Sequence, residues 1–362
     1  MDPQPAPAPQ QPVPVELVAE PSRGPIRVIV EPPRPSWWGR ALRWILVILV
    51  GLWLLGSMGN YYGRDDDVQE RWHSRSKSAA DKIAIISVAG TIFGEQNFVK
   101  HQIDRVRDDD RVKAVVLRVD SPGGTVTGSD YIYHHLKQLT KDRQIPLVVS
   151  MGGIAASGGY YVSMAVGDAK DTIFAEPTTW TGSIGVIIPH YDVTGLLEKI
   201  NVQDDSIASN PLKMMGSPTR RLPEPVRAEE QKILQELVDS SFADFKELVL
   251  SGRPALRDDQ AAQGVVFTGR IFTAKQAQQN HLVDRLGFIE DAIDRASELA
   301  ALDKENVQVV EFKQPQGVLD QMLFGPGGRS AMAEISALAE LNVPRAYYLC
   351  TWLPGLSAGI KH

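Results

Sequence analysis

The chain has 362 residues, a formal net charge of −6, 43% hydrophobic residues and a single cysteine, Cys350. This length allows either one large α/β domain or about two domains of ordinary size. An acidic balance without lysine and arginine clusters argues against nucleic acid as the main partner, and one cysteine excludes an intrachain disulfide. The sequence contains no CxxC, HExxH or P-loop pattern, so zinc and nucleotide chemistry have no support and no cofactor is expected.

The first 62 residues divide into two segments of different composition. Residues 1–36 hold 11 of the 24 prolines, and proline lacks the N–H donor that helices and sheets need, so a disordered tail is predicted. Residues 37–62 carry no charge between Trp44 and Met58, and with flanking apolar residues the run reaches the roughly 20 residues that span a bilayer. We expect an uncleaved transmembrane anchor; the alternatives are a buried core helix and a cleaved signal peptide.

Charges on either side of this segment predict its orientation. Arg34, Arg40 and Arg43 precede the apolar run, whereas Arg64 follows it and is opposed at once by three aspartates at 65–67. Because an excess of lysine and arginine marks the cytoplasmic side, the N-terminus is expected in the cytoplasm. The chain from about residue 63 onward is then expected outside an inner, cytoplasmic membrane, on its periplasmic side.

From residue 82 onward, short apolar runs alternate with longer amphipathic stretches. Strands are predicted at 82–92, 112–120 and 145–151, and helices are predicted at 98–110, 129–142, about 225–250 and 287–302. This βαβαβ order predicts an α/β fold with a mostly parallel sheet. The expected organisation is a linker at 63–81, a folded domain at 82–312 and a C-terminal extension at 313–362, with a short helix near 330–340.

Two glycine-rich turns each follow a predicted strand and precede a predicted helix. The first is "VDSPGGTV" at 119–126, and the second is "AASGG" at 155–159, which centres on Ser157. Ligands of parallel sheets bind where the strands end, because helix N-termini offer free N–H groups there. Glycines at 123, 124 and 158 leave backbone N–H groups accessible beside a serine hydroxyl, which is the composition of an oxyanion hole. Two ordinary turns, or a phosphate-binding loop, are the alternatives.

A serine nucleophile needs a base, and the residues alone leave its identity open. Among the seven histidines, His190 comes with Asp192 in "PHYD", but no spacing rule places this pair at Ser157. Lys213 in "NPLKMMG" has apolar neighbours, and burial in an apolar pocket lowers the pKa of a lysine. A lysine that extends along the surface is the alternative for this position.

Five motifs together resemble those of the signal peptide peptidase A family. They are "DSPGG", "SMGGIAASGGYY", "TGSIGVI" (181–187), "LKMMGSPTR" and "VFTGRIFTAKQAQQNHLVDRLG" (266–287). The family consists of membrane-anchored bacterial Ser-Lys proteases, and the resemblance runs from about residue 82 to residue 299. It implies a spiral of βαβ units like that of Clp protease and crotonase.

The resemblance also implies a role for each matching residue. Ser157 matches the nucleophile, Lys213 matches the general base, and Ser183 matches the residue that orients this lysine. Either Gly123 or Gly124, together with the N–H of Gly158, matches the oxyanion hole. The implied substrates are signal peptides and other short or unfolded polypeptides with small or apolar side chains near the cut. A homo-oligomer is implied as well, in which two subunits could complete one active site.

Three positions depart from the family pattern. Asn210 stands where the family has glycine, and Leu212 stands where it has an aromatic residue or histidine. His281 replaces a glycine that helps to end a helix, so Asn280 is expected to adopt the left-handed backbone there.

Two other functions are compatible with the same fold. A crotonase-like acyl-thioester hydrolase would use paired backbone donors, but it would need neither Ser157 nor a membrane anchor. An inactive membrane scaffold is the other alternative, and the intact Ser157, Lys213 and Ser183 argue against it.

Overall fold

A computed structural model describes residues 68–94, 97–314 and 346–349, together with four separate positions at 44, 46, 47 and 51. The expected tail at 1–36 and the short helix near 330–340 lie outside these residues, as does almost all of the expected anchor at 37–62. Among the helices that the structure describes, none is both long and apolar enough to cross a membrane. The chain divides into two compact units, 1–62 and 63–362, and the second contains every element discussed below.

The second unit contains a mixed sheet and a separate two-stranded ribbon. The strands are Gln69–Arg75 (β1), Lys82–Ala89 (β2), Val112–Ser121 (β3), Gly123–Thr125 (β4), Leu147–Ala156 (β5), Ile173–Ala175 (β6), Trp180–Gly182 (β7), Ile271–Thr273 (β8), Arg285–Leu286 (β9), Gln308–Lys313 (β10) and Tyr347–Leu349 (β11). The sheet order is β1-β10-β2-β3-β5-β6-β9, with β7 paired to β5 and to β8. β1 and β8 pair antiparallel with their neighbours, and the other pairs of this sheet are parallel. The α/β class is therefore confirmed.

Helices connect these strands and cover the sheet. They are Asn97–Asp108 (α1), Val126–Arg143 (α2), Gly158–Ser163 (α3), Thr194–Lys199 (α4), Val226–Gly252 (α5), Pro254–Arg257 (α6), Gln260–Val266 (α7), Ala274–Gln279 (α8) and Ile289–Leu299 (α9), with 3-10 turns at Met164–Val166 and Pro211–Met214. The predicted strands and helices of the domain are confirmed with shifted ends. The largest shift extends the strand predicted at 145–151 to Ala156, which lies directly before Ser157.

Both faces of the sheet are buried, which explains the continuous apolar runs in its central strands. Along β2, Ile83 and Ile85 belong to one core cluster, whereas Ala84 and Ile86 belong to the other. The first of these clusters includes residues of α9, and the second includes residues of α1, α2 and α5. The ends of β3 and β5, where the predicted site lies, are therefore held by packing on both faces.

The sheet begins within the segment that was expected to be a linker. β1, at Gln69–Arg75, pairs with β10, and it also brings Glu70 toward the start of β2. The ammonium of the buried Lys82 lies 2.5 Å from the carboxylate of Glu70 and 2.9 Å from that of Asp109. A buried lysine needs such partners, so this ion-pair cluster ties β1 to the body of the domain.

Candidate active site

Ser157 lies on a tight turn between a strand and a helix. β5 ends at Ala156 and α3 begins at Gly158, and Ser157 between them has φ 55° and ψ −115°. Such a backbone is strained for a residue other than glycine, typically by about 1–3 kcal/mol, and persists only where surrounding structure holds it. Here the Ser157 N–H donates to the carbonyl of Gly182 at 2.7 Å, and the Ser157 carbonyl accepts from Tyr161 N–H at 2.8 Å. A similar strand–turn–helix arrangement presents the nucleophilic serine of α/β-hydrolases.

The Ser157 hydroxyl is buried without a hydrogen-bond partner among the described residues. The residue is 1% exposed, and its Oγ neither donates to nor accepts from any described group. Buried polar atoms are normally paired, and an unpaired one costs about 1–3 kcal/mol. The Ser157 hydroxyl is therefore free to bind a group that lies outside the described residues.

The first glycine turn supplies one of the predicted backbone donors. The carbonyl of Gly123 accepts from Ile92 N–H at 2.8 Å, and Thr125 N–H donates to the Ile92 carbonyl at 2.8 Å. Backbone groups alternate along a strand, so the N–H of Gly124 points to the opposite edge of β4. The N–H of Gly123 already donates to Ser121 Oγ at 3.1 Å. Of the two alternatives from the sequence, Gly124 is therefore the one whose N–H faces the outer edge of β4, where it pairs with Tyr348 of β11.

Gly158, the second predicted donor, lies against the first turn. A Cβ atom on Gly158 would lie 3.1 Å from the nitrogen of Gly124 and would collide with the hydroxyl of Ser129. A Cβ on Gly123, whose φ is 98°, would lie 2.6 Å from the nitrogen of Gly158. The absence of these side chains lets the two turns approach, so the N–H groups of Gly124 and Gly158 lie close to each other.

Ser183 lies beside the nucleophile because of strand register. β7 pairs in parallel with β5, with Gly182 opposite Ala156, so Ser183 and Ser157 are the next residues on the two neighbouring strands. Ser183 is 8% exposed, has φ 51°, and donates its N–H to the carbonyl of Arg270 at 2.7 Å. The structure therefore brings together Ser157, Ser183 and the three glycines.

Lys213 makes no bond to this cluster within the part of one chain that the structure describes. It lies exposed on the 3-10 turn at Pro211–Met214, and among the described residues no hydrogen bond or ion pair joins its ammonium to Ser157 or Ser183. Asn210, one of the departures from the family pattern, caps this turn by accepting from Leu212 N–H at 2.9 Å. The altered position therefore stabilises the turn that carries the lysine.

The histidine alternative lacks the partner that it would need. His190 is exposed, and Asp192 is bound elsewhere. Its carboxylate accepts from Thr194 and from the Arg221 guanidinium, and these bonds hold the pKa of Asp192 well below its usual range. Asp192 therefore joins Thr194 to Arg221, and it does not orient His190 as a base.

The end of α8 differs from the sequence expectation. Asn280 has φ −101°, whereas His281 has φ 61°, so the histidine itself takes the left-handed conformation and the assignment to Asn280 was wrong. The carbonyl of His281 accepts from Arg253 Nε at 2.7 Å, and its ring nitrogen lies 3.3 Å from Asp259. These two contacts hold His281 in its strained backbone conformation.

One further element beside the two glycine turns was not predicted from the sequence. Residues 347–349, within the expected C-terminal extension, form β11 and pair antiparallel with the glycine strand β4. The signal available in the sequence was the short β-prone run "YYL". Such a run does not reveal which distant strand it joins.

Comparisons with known proteins agree on the family. A sequence profile of peptidase family S49 matches residues 139–303, a range that includes Ser157, Ser183 and Lys213. A Synechocystis sp. protein assigned as a protease is 39% identical over 266 residues, which cover 73% of this chain and 90% of that protein. A protein of Enterococcus faecium assigned as a signal peptide peptidase SppA is 35% identical over 273 residues, which cover 72% of this chain and 74% of that protein.

Among solved structures, a ClpP1 mutant from Listeria monocytogenes aligns with 57% of this chain and 93% of its own chain. The TM-score is 0.37 and the identity is 15%, so the Clp protease and crotonase part of the fold prediction stays a prediction. The two relatives and the profile suffice for the family: the chain is a member of peptidase family S49, the signal peptide peptidase A family.

Proposed function

We propose that this protein is a serine endopeptidase in which Ser157 is the nucleophile. The observation that carries the proposal is the strained turn that buries the Ser157 hydroxyl without a partner, next to the N–H groups of Gly124 and Gly158. A structural serine would satisfy its hydroxyl, and strained backbone at residues other than glycine clusters at active sites. Membership of a peptidase family supports the same reaction class.

In the proposed reaction, Ser157 Oγ attacks a peptide carbonyl while its proton passes to the Lys213 amine. The N–H groups of Gly124 and Gly158 stabilise the negative charge that develops on the carbonyl oxygen. The C–N bond then breaks, the leaving amine takes the proton from Lys213, and an ester of Ser157 remains. Water attacks this ester with Lys213 again as the base, which releases the acid and restores the hydroxyl. Ser183 orients the lysine.

We further propose that Lys213 reaches Ser157 from a second copy of the chain. Lys213 is exposed, and the Ser157 hydroxyl has no partner among the described residues. Each chain would then supply a nucleophile to one active site and a base to another. Exposed large apolar side chains concentrate in the neighbouring segment, at Tyr191, Leu196, Ile200, Val202 and Ile207. Clustered apolar exposure is typical of an interface, and homo-oligomers are the commonest assemblies. A homo-oligomer therefore accounts for both observations.

The proposed substrates are signal peptides and other short or unfolded polypeptides. The apolar segment at 37–62 would hold the enzyme at the inner membrane, with the catalytic domain on the periplasmic side, close to peptides released there. Extraction of membranes with alkaline carbonate should leave the full chain in the pellet. Protease added to spheroplasts should degrade the catalytic domain, whereas survival of that domain would contradict the proposed orientation.

The experiment for the catalytic assignment compares the purified full chain with three variants. Wild type should react with a fluorophosphonate probe and cleave casein or a quenched peptide. Ser157→Ala should lose both activities, and Lys213→Ala should lose cleavage. Lys275→Ala removes another exposed lysine and should behave as wild type. Cleavage retained by Ser157→Ala would refute the nucleophile, and cleavage retained by Lys213→Ala would refute the base.

A further inference from the structure

A bulge interrupts β5 just before the predicted nucleophile. Along β3, Val119 pairs with Met151 of β5 and Ser121 pairs with Ala155. Between these two pairs β3 has one residue, whereas β5 has three, at 152–154. Bulges are over-represented beside active sites, where they redirect a side chain. The insertion in β5 therefore lies where it can decide how the nucleophile is presented.

We propose that this bulge positions Ser157 for reaction, and that the Asp120 side chain holds the bulge in place together with Thr179. The inference rests on the proposed peptidase function, because it concerns the same nucleophile. Asp120 is the single residue of β3 opposite the bulge. It also begins the "DSPGG" motif, whose glycines form the first glycine turn. One acidic side chain thus links the two glycine turns of the site.

The carboxylate of Asp120 binds a backbone donor within the bulge. Its Oδ1 accepts from the N–H of Ile154 at 3.0 Å. Backbone donors in a sheet are normally bound by a carbonyl of the neighbouring strand, but the register between β3 and β5 is broken at this point. The side chain of Asp120 therefore takes the role that a backbone carbonyl has in a regular ladder.

Two threonines bind carbonyl groups of the same region from the other side of β5. Thr179 Oγ1 donates to the Gly152 carbonyl at 2.6 Å, and Thr181 Oγ1 donates to the Ala155 carbonyl at 2.5 Å. Both threonines are fully buried. They lie where β5 exchanges its neighbour β6 for β7. The bulge is therefore held by side chains from both of its neighbours in the sheet.

The first residue of the bulge leaves little room for a side chain. A Cβ on Gly152 would lie 3.0 Å from Arg118 Nη2 and 3.1 Å from the carboxylate carbon of Asp120. Arg118 is held in turn by Glu176 at 2.6 Å and by the Ser150 hydroxyl at 2.9 Å. The side chains of Asp120 and Arg118 therefore pack directly against the backbone of the bulge.

The path of the bulge sets the position of the turn that follows it. Beyond the bulge, Ala155 resumes pairing with Ser121, which leads into the first glycine turn. Two residues later, Ser157 N–H reaches the carbonyl of Gly182. A displacement of about 1 Å at an active site can cost about 10²-fold in rate. Loss of the Asp120 contact should therefore slow the chemical step more than it weakens substrate binding.

Variants of Asp120 test this positioning role. Asp120→Ala removes the acceptor and should lower kcat by about 10²-fold with little change in KM. Asp120→Asn keeps an oxygen that can accept from Ile154 and should stay near wild type. The matched control is Asp303→Ala, which removes another exposed aspartate that accepts a backbone N–H at 3.0 Å, ahead of β10. This control should behave as wild type. An unchanged kcat in Asp120→Ala, or an equal loss in Asp120→Asn, would overturn the proposal.

Variants of Thr179 provide a second route if Asp120→Ala does not fold. Thr179→Val removes the hydroxyl that binds the Gly152 carbonyl, and it should lower kcat with little change in KM. Thr179→Ser keeps the hydroxyl and should stay near wild type. Equal kcat values for these two variants would contradict the proposed role of the bulge.

Hydrogen–deuterium exchange tests the same inference without catalysis. In Asp120→Ala, the amides of Ile154 and Ser157 should exchange at least about tenfold faster than in wild type, because local opening becomes easier. In Asp120→Asn, both rates should stay near wild type. Unchanged exchange at Ser157 would overturn the positioning role. If wild type cleaves no peptide but exchange responds as expected, the proposed catalysis fails, and the role of Asp120 in placing the turn stands.

Discussion

Ser157 donates its backbone N–H to the carbonyl of Gly182 at 2.7 Å, and this bond joins the turn of the predicted nucleophile to the turn that carries Ser183. Both serines have a left-handed backbone, with φ 55° and 51°. Because β5 and β7 run in parallel, the two side chains leave neighbouring strands at the same level. A residue at 183 is therefore well placed to act on any base that approaches Ser157.

Ser183→Ala tests this positioning role. If its hydroxyl orients Lys213, kcat should fall by about 10²-fold, at the lower end of what acid–base assistance contributes, while KM changes little. Steady-state kinetics measure both constants, and an unchanged kcat would contradict the role.

Gly158→Ala tests the close approach of the two glycine turns. The added methyl group would collide with the Ser129 hydroxyl and lie 3.1 Å from Gly124 N. We expect a loss of about 1–3 kcal/mol in the free energy of unfolding, as for other overpacked sites. Urea denaturation measures this loss, and labelling with a fluorophosphonate should disappear.

The double variant Gly158→Ala, Ser129→Ala is the control for this prediction. Removal of the Ser129 hydroxyl should restore part of the stability, because one of the two collisions is gone. Activity should stay low, because the methyl group still blocks the donor of Gly124. Recovery of full activity would show that Gly158 matters for packing alone.

Mixing two inactive chains tests whether the site is shared between copies. Chains with Ser157→Ala still supply Lys213, and chains with Lys213→Ala still supply Ser157. Random co-assembly in equal amounts should restore about a quarter of the wild-type sites if the two residues come from different copies of a symmetric assembly. The mixture is unfolded, refolded together and assayed for peptide cleavage. An inactive mixture that has assembled correctly would place both residues in one chain.

The aspartate in the "HLVD" motif should matter for stability rather than for chemistry. Asp284 pairs with the buried Arg253 at 2.5 Å and also accepts from the N–H groups of Thr172 and Ile173, both at 2.9 Å. Asp284→Ala leaves a buried guanidinium unpaired and should cost about 3–5 kcal/mol of unfolding free energy. Asp171→Ala breaks an exposed pair with Arg285 and should change stability much less. Urea denaturation of both variants provides the comparison.

Much of the architecture follows from local patterns. The runs in β2 and β3 are rich in branched side chains because both faces of the sheet are buried, so their strands could be predicted directly. Ser157 and Gly158 could also be predicted as a candidate active site. They lie in a turn of small residues that directly follows a predicted strand, where ligands of parallel sheets bind. The exposed position of Lys213 on a 3-10 turn could not be predicted, because four residues of such a turn carry no periodic signal.

Local sequence patterns do not predict which strands pair when the strands are far apart in the sequence. Ser183 is next to Ser157 only because of the register between β5 and the three-residue strand β7, and a strand of that length carries no periodic signal. β1 is mostly exposed along its length, so its composition resembled a linker. β11 is separated from β4 by more than 200 residues of sequence, and nothing in "YYL" specifies that partner.

The outer edge of β4 also bears on solubility. A strand edge with free N–H and C=O groups is a template for pairing with other chains, and native proteins usually cover such edges. Here β11 occupies that edge, and its two tyrosines are almost fully buried. A chain without β11 should therefore expose an unpaired strand edge and be more prone to aggregate than the full chain.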